Sequence, residues 1–448
     1  MKSKQDLTVG NINKKLWAFA IPLMLGNVMQ QFYNLVDTWV VGKYIGDNAL
    51  AAVGSSYSLM TFLTSVILGL CLGSSAFFSI TFGEKNIKRL KNGMFISFVM
   101  IGIFSLILTF ASFYLCGRIM KILQVPYDIQ GIMSEYLKWI FVGIFATFLY
   151  NYFSNLLRGI GNSVIPLVFL CVSVILNIGL DLYFVLVLKQ GIRGAAIATV
   201  TAQALSVVFA IVILIKKELP FKITRKDFGL NSQCKKFLKI GLPLALQEFL
   251  TQMSFLALCA FVNRLGLEAS SGYGVACKIV NFAMLVPSAL MQSMASFVSQ
   301  NIGAGKAKRA KKSMFTGIGV GLVVGCIVFL LVMFGGDILA GFFTTDVAVI
   351  QKGYAYLKGF ALETIVTAIL FSMVGYFNGN NKTVWVMTQG LIQTLLVRLP
   401  FAYVMSIQPN ASLTKIGLAA PVSTMVGIVL NVGFYIYLDR AEKKSNAL

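Results

Sequence analysis

Gly83-Glu84-Lys85-Asn86-Ile87-Lys88-Arg89-Leu90-Lys91 returns about 220 residues later as Gly303-Ala304-Gly305-Lys306-Ala307-Lys308-Arg309-Ala310-Lys311. At the same spacing Tyr136-Leu137-Lys138 returns as Tyr356-Leu357-Lys358, and Arg158-Gly159-Ile160-Gly161-Asn162-Ser163-Val164 as Asn378-Gly379-Asn380-Asn381-Lys382-Thr383-Val384. A period this long is far above that of a solenoid. It predicts two copies of one large unit.

Composition says where those copies sit. Hydrophobic residues make up 57% of the 448 and charged residues only 12%; the mean hydropathy is +0.81. A soluble domain cannot hide that much apolar surface, so the chain reads as a polytopic membrane protein. Twelve spans fit the hydropathy: roughly 15–41, 50–81, 93–115, 132–157, 163–187, 193–215, 237–262, 272–302, 313–334, 353–377, 383–406 and 416–438. The apolar run from Leu16 past Val40 is too long for a signal peptide and reads as an uncleaved first span. The net charge of +22 points to the positive-inside bias rather than to nucleic acid. Most Lys and Arg fall on one side, in the N-terminal tail, 83–92, 216–239, 306–312 and the C-terminal tail. That predicts both termini in the cytoplasm. Six spans per half return the chain to its starting side. The expected fold is therefore all-α, with twelve transmembrane helices in two six-helix lobes related by a parallel pseudo-two-fold axis along the membrane normal. The predicted division is an N-lobe over 1–215, a cytoplasmic linker loop over 216–236 and a C-lobe over 237–448.

The seven cysteines lack CxxC spacing and there is no histidine. Imidazole proton relays and His-containing metal sites are thereby excluded. There is no GxxxxGK[ST] loop for ATP, and no nucleophile–base spacing that suggests an enzyme. Glycines at 317, 321 and 325 read as close helix packing.

Carboxylates at membrane depth are costly and so mark function. Asp37, Asp181, Glu248 and Glu363 fall well inside predicted spans. Span 1 carries Asn27, Gln30, Gln31, Asn34 and Asp37 on one helical face, which must meet a cavity or another helix rather than lipid. Span 5 carries Asn177 and Asp181 one turn apart; span 6 carries Thr199 and Thr201. At about 1.5 Å per residue, Asp37 lies about 33 Å above the inner end of span 1 and Asp181 about 27 Å up span 5. Thr199 lies about 9 Å below the outer end of span 6. These depths are similar, so two acids, an amide and a hydroxyl form one oxygen-rich pocket. Such hard ligands suit a small hard cation or a proton shared between the acids.

At this point the sequence resembles the multidrug and toxic-compound extrusion (MATE) transporters. Pro22 with the polar stripe and Val36-Asp37-Thr38-Trp39-Val40-Val41-Gly42 looks like their first span. Arg158-Gly159-Ile160-Gly161-Asn162 looks like the loop after their fourth. Asn177-Ile178-Gly179-Leu180-Asp181 and Gly194-Ala195-Ala196-Ile197-Ala198-Thr199 look like spans five and six. The resemblance covers nearly the whole chain. It implies an antiporter that expels organic cations and other amphiphiles against sodium or proton influx. It further implies that Asp37, Asn177, Asp181 and Thr199 form the cation site in the N-lobe. No metal beyond Na+ and no cofactor is expected, the coupling ion being Na+ or H+.

The second half departs from the first. Aligning Pro22 with Pro243 places Leu258 opposite Asp37, and the 220 spacing places Phe401 opposite Asp181. The acids are lost there. Glu248 joins Gln247, Thr251 and Gln252 in a polar stripe on span 7. It binds a cationic drug or a proton, or else pairs with Lys278 or Arg398. The expected substrate cavity draws on Asn27, Gln30, Gln31, Asn34, Glu248, Gln252, Met284 and Met291, with Pro22 as a hinge. Aromatic residues of span 4 and methionines of span 8, including Met294, serve either core packing or flat lipophilic cations. Expected partners are cationic and amphiphilic small molecules and the bilayer of the cytoplasmic membrane, with the protein a monomer and no nucleic acid or ATP involved. The mechanism expected is alternating access. Competing readings are a flippase for a lipid-linked saccharide, an exporter of one metabolite, and a channel.

Overall fold

The computed structural model describes residues 6–122, 127–216, 229 and 231–445. Most of the predicted 216–236 linker therefore lies outside the described residues.

Helices form wherever the apolar runs were predicted and extend a few residues past them. In chain order they are α1 Ile12–Tyr44, α2 Asp47–Gly83, α3 Ile87–Ile122, α4 Tyr127–Gly159, α5 Val164–Asp181 and α6 Gly191–Lys216. There follow α7 Gln233–Asn263, α8 Leu267–Ala283, α9 Leu285–Gly303, α10 Ala307–Gly341, α11 Val347–Phe360 and α12 Glu363–Gly379. The chain closes with α13 Thr383–Leu391, α14 Leu399–Ile407, α15 Leu413–Gly417 and α16 Ala419–Ser445. Among the described residues 9 helical stretches are long and apolar enough to cross a membrane, or 11 when each of two bent pairs counts as one span. The pairs are α8 with α9, bent by 42°, and α11 with α12, bent by 48°. The sequence pattern showed neither break. Two π-helical turns, Leu182–Val187 and Ile392–Arg398, interrupt the fifth and eleventh predicted spans. The one predicted span outside that count is the first, α1, whose 33 residues are long enough but are diluted by the Asn27–Asp37 polar stripe. Pro22 lies inside this unbroken helix.

The repeat is written into the backbone. Left-handed backbone occurs at Gly46 (φ 113) and Gly266 (φ 100), at Lys85 (φ 56) and Gly305 (φ 74), and at Gly161 (φ 90) and Asn381 (φ 58). All three pairs share the spacing of the sequence matches. The helix ends close alike as well: Asn86 N–H donates to the Thr81 carbonyl at 3.1 Å and Lys306 N–H to that of Asn301 at 2.7 Å. Asn162 N–H reaches Leu157 at 2.8 Å and Lys382 N–H reaches Phe377 at 2.9 Å. These six-to-one bonds satisfy carbonyls that a helix terminus otherwise orphans. Tyr136 and Tyr356 are both buried, as are Leu137 and Leu357.

The described residues fold into two compact units, chiefly Trp17–Phe249 and chiefly Leu250–Ile302 with Lys306–Leu448. The boundary falls inside α7. In the first unit α4 packs along α2 and α6, and α5 along α6. Phe78, Phe98, Phe148 and Tyr152 interlock at its centre, with Phe98 and Tyr152 edge-on at 5.3 Å. Phe141, Phe148 and Tyr152 of span 4 are thus core. The first half of α7 stays with this unit because small residues let its backbone meet α2: a Cβ on Gly73 would overlap the Gly241 Cα, and one on Gly69 would overlap that of Ala245. Close contact of this kind is how helices gain dispersion energy in lipid. In the second unit α10 packs along α12, α8 along α11 and α12 along α16. The predicted small-residue face appears here, since a Cβ on Gly325 would lie 2.5 Å from the Thr364 carbonyl oxygen. Met294 is fully buried and accepts a hydrogen bond from Ser313 Oγ at 3.4 Å. It too is core.

Candidate functional site

The first unit brings the four predicted N-lobe residues together. Asp181 ends α5 immediately before the π-helical turn, and Asn177 lies one turn earlier on the same face. Both are buried, at 0% and 1% exposure. From α6, Thr199 Oγ1 accepts from Asn177 Nδ2 at 3.4 Å and from the Tyr33 hydroxyl of α1 at 3.5 Å. These bonds are long, so the hydroxyl oxygen is only loosely held. Asp37 stands one turn beyond Tyr33 on α1. Its carboxyl comes within hydrogen-bonding reach of that of Asp181. Two carboxylates are acceptors only, so a bond between them requires a shared proton.

Four oxygens in this cluster, Asp37 Oδ1, Asn177 Oδ1 and both of Asp181, are closed off from the surface and receive no donor from another described residue. Native structures rarely leave buried acceptors unpaired. Unneutralised buried carboxylates are costlier still. Oxygens converging from two helices in that condition, beside the Thr199 hydroxyl of a third, form a seat for a positive charge.

Two residues of the cluster were not singled out from sequence as site residues. Tyr33 could have been found from its position one turn before Asp37. Tyr136 of α4, quoted only as a marker of the repeat, is buried at 8% exposure with its phenol in the electrostatic neighbourhood of Asp37, Asp181 and Tyr33. Its signal was a polar ring tip inside an apolar span. Around the cluster, Thr147 of α4 donates to Gln203 Oε1 of α6 at 2.9 Å, and the Arg193 guanidinium lies over the Trp139 ring at 5.1 Å. These contacts lock α4 against α6 and so fix Tyr136 relative to Thr199.

The expected substrate residues divide between the two units. Asn27, Gln30, Gln31, Asn34 and Glu248 belong to the first and Gln252, Met284 and Met291 to the second; all eight are half-buried. Met284 sits at the bend between α8 and α9.

A family model described as MatE matches residues 22–183 and again 243–404. The chain belongs to the MatE family. It is a multi-pass membrane transporter, and the two matches, which begin and end with one constant spacing, are its two copies of the MatE unit. Among relatives of this MatE chain is the probable multidrug resistance protein YpnP of Bacillus subtilis (strain 168), 30% identical over 402 residues with 90% of each chain covered. Another is the multidrug export protein MepA of Staphylococcus aureus (strain bovine RF122 / ET3-1), 24% identical over 394 residues and 85% of each. A solved structure, described as the outward-facing conformation of a multidrug resistance MATE family transporter of the MOP superfamily, shares the fold with a TM-score of 0.92. Its identity is 20% and 98% of each chain is covered.

The ends of the MatE match give a second register beside the 220 spacing of the turns. Counted from 22 to 243 and from 183 to 404, the position opposite Asp181 is Ala402, next to the Phe401 of the 220 spacing. A π-helical turn holds one more residue than an α-turn, and Ile392–Arg398 provides that residue in the second copy. On the same spacing Asp37 corresponds to Leu258 and Asn177 to Arg398. Leu258 and Ala402 are buried in the second unit's apolar core.

Proposed function

We propose that this MatE transporter exports organic cations and amphiphilic drugs from the cytoplasm in exchange for Na+ or H+, by alternating access. One observation carries the reading: four unpaired oxygens from Asp37, Asn177 and Asp181, buried at membrane depth beside the Thr199 hydroxyl. The cluster holds two carboxylates and no basic side chain among the residues that form it. A sodium ion or a proton arriving there neutralises charge that the apolar surroundings cannot. The names of the relatives, a probable multidrug resistance protein and a multidrug export protein, support drugs as cargo.

Coupling follows from where the ligands are attached. Asp37 and Tyr33 are on α1, Asn177 and Asp181 on α5, Thr199 on α6. A cation that draws these oxygens together favours whichever packing of α1 brings Asp37 closest. It drives the cycle only through its different affinity for the two states. Pro22 leaves the Ala18 carbonyl without its helical donor, so α1 bends there most readily. The basic loops orient the protein with both termini in the cytoplasm and the second copy parallel to the first. It works as a monomer in the cytoplasmic membrane, and no cofactor or ATP enters the cycle.

The test is dye efflux from sealed vesicles under separately imposed sodium and pH gradients. Dependence on one gradient names the ion; dependence on neither refutes antiport. Asp37→Asn abolishes efflux under the active gradient, and full efflux by that variant refutes the assignment of the site.

A further inference from the structure

The second unit has its own pair of unsatisfied charges. Arg398 ends the π-helical turn Ile392–Arg398, where the MatE spacing places the counterpart of Asn177. Among the described residues its guanidinium makes neither hydrogen bond nor ion pair. Its close contact is with the face of the Phe255 ring at 5.2 Å, and its Nε is closed off from the surface. Glu363 opens α12 just past the 48° bend. Its Oε1 accepts from Thr424 Oγ1 at 2.8 Å, and that hydroxyl accepts in turn from Gln393 Nε2 at 3.2 Å. Glu363 Oε2 is closed off and receives no donor in good hydrogen-bond geometry; the nearby Thr367 hydroxyl, one turn on along α12, is itself buried without a partner. The two charges feel each other without forming a contact ion pair, and Tyr273 and Tyr356 share their neighbourhood.

A planar fork of donors without an acceptor and a carboxylate oxygen without a donor are costly at this depth. One ligand carrying both an anionic and a cationic group satisfies both. We propose that Arg398 and Glu363 form a subsite for zwitterionic amphiphiles, with the ligand's carboxylate on the Arg398 guanidinium and its ammonium or N–H on Glu363 Oε2. The guanidinium fork matches a carboxylate bidentately. Phe255, 38% exposed, supplies aromatic surface for a flat ring system. A purely cationic ligand meets Arg398 and a purely anionic one meets Glu363, so the pair selects for both signs together. The proposal rests on the export reading for its cargo but not for its binding chemistry.

A matched pair of dyes tests it. Rhodamine 110 carries a free carboxylate and is zwitterionic; rhodamine 123 is its methyl ester and is cationic. Binding of each to the purified full chain is read by fluorescence polarisation. Arg398→Gln weakens rhodamine 110 by ~10- to 100-fold, the worth of a hydrogen bond to a charged group, and leaves rhodamine 123 within about twofold. Equal loss of both dyes, or loss of neither, overturns the proposal. A second measurement needs no variant. Cys277 lies in the same neighbourhood, and rhodamine 110 slows its alkylation, followed by peptide mass spectrometry, at concentrations where rhodamine 123 does not. Equal protection, or none, overturns the proposal too. A zwitterionic lipid headgroup has the same chemistry, so binding is repeated in nanodiscs with and without phosphatidylethanolamine. Competition assigns the headgroup as an occupant, and its absence leaves the free amphiphile. If neither gradient drives rhodamine 123 export by the wild type, the export reading fails while the binding comparison still decides the subsite.

Discussion

Asp181→Asn removes one negative charge from the first-unit cluster and keeps the shape of the side chain. Asp181 is 0% exposed and neither of its oxygens receives a donor from the described residues, so water screens it little. At about 4 Å and an effective dielectric of about 20, a carboxylate contributes ~4 kcal/mol to a bound monovalent cation. Losing that amounts to about a thousandfold in affinity. The new amide can donate to Asp37, which relieves the unpaired oxygen there, so the variant folds and remains monodisperse in detergent. A site half-filled in the wild type is then about 0.1% filled under the same gradient, from that thousandfold loss. Efflux of rhodamine 123 from energised vesicles should fall to the level of protein-free vesicles. Raising the coupling ion tenfold should restore little of it. If Asp181→Asn, shown folded by size-exclusion chromatography, retains wild-type efflux, the cluster is not the coupling site.

Two further predictions concern helix contact in the first unit and a turn in the second. Gly73→Leu forces a side chain into the Gly241 backbone, and overpacking of this kind costs about 1–3 kcal/mol. Its thermal unfolding midpoint in detergent should drop well below that of Gly335→Ala, whose Cβ meets nothing within 4 Å; equal midpoints would mean that α2 and α7 do not touch. At Asn381, φ is 58°, a conformation that β-branched residues resist. Asn381→Val should lower stability by roughly 1–2 kcal/mol while Asn381→Gly is neutral or better, as read from unfolding midpoints. A neutral Val variant would contradict the left-handed turn.

Much of this was legible in the chain. Span positions follow from hydropathy, because lipid demands long apolar runs whatever their neighbours do. The repeat follows from turn chemistry, and Gly161 and Asn381 mark the same left-handed corner. Asp37, Asn177, Asp181 and Thr199 could be placed at one depth because helix rise is constant. The breaks at Met284 and after Phe360 were not legible: both halves of each pair are apolar, and hydropathy is blind to a change of direction. The π-helical turn at Ile392–Arg398 was equally hidden. The aromatic and methionine residues were ambiguous by nature. Phe148 and Met294 suit a drug pocket and a core equally well on paper, and the packing around them placed them in the core.

By itself the sequence determined what is one-dimensional: the apolar spans, the duplicated turns, the basic loops and the depth of each polar group. Tertiary structure decided what depends on helix rotation and approach. It brought Tyr136 into the neighbourhood of two carboxylates, left four oxygens of the first unit without donors, and set Arg398 near Glu363 without joining them. The physical reason is that depth along a helix is a property of the chain. The direction a side chain faces at that depth depends on how neighbouring helices pack.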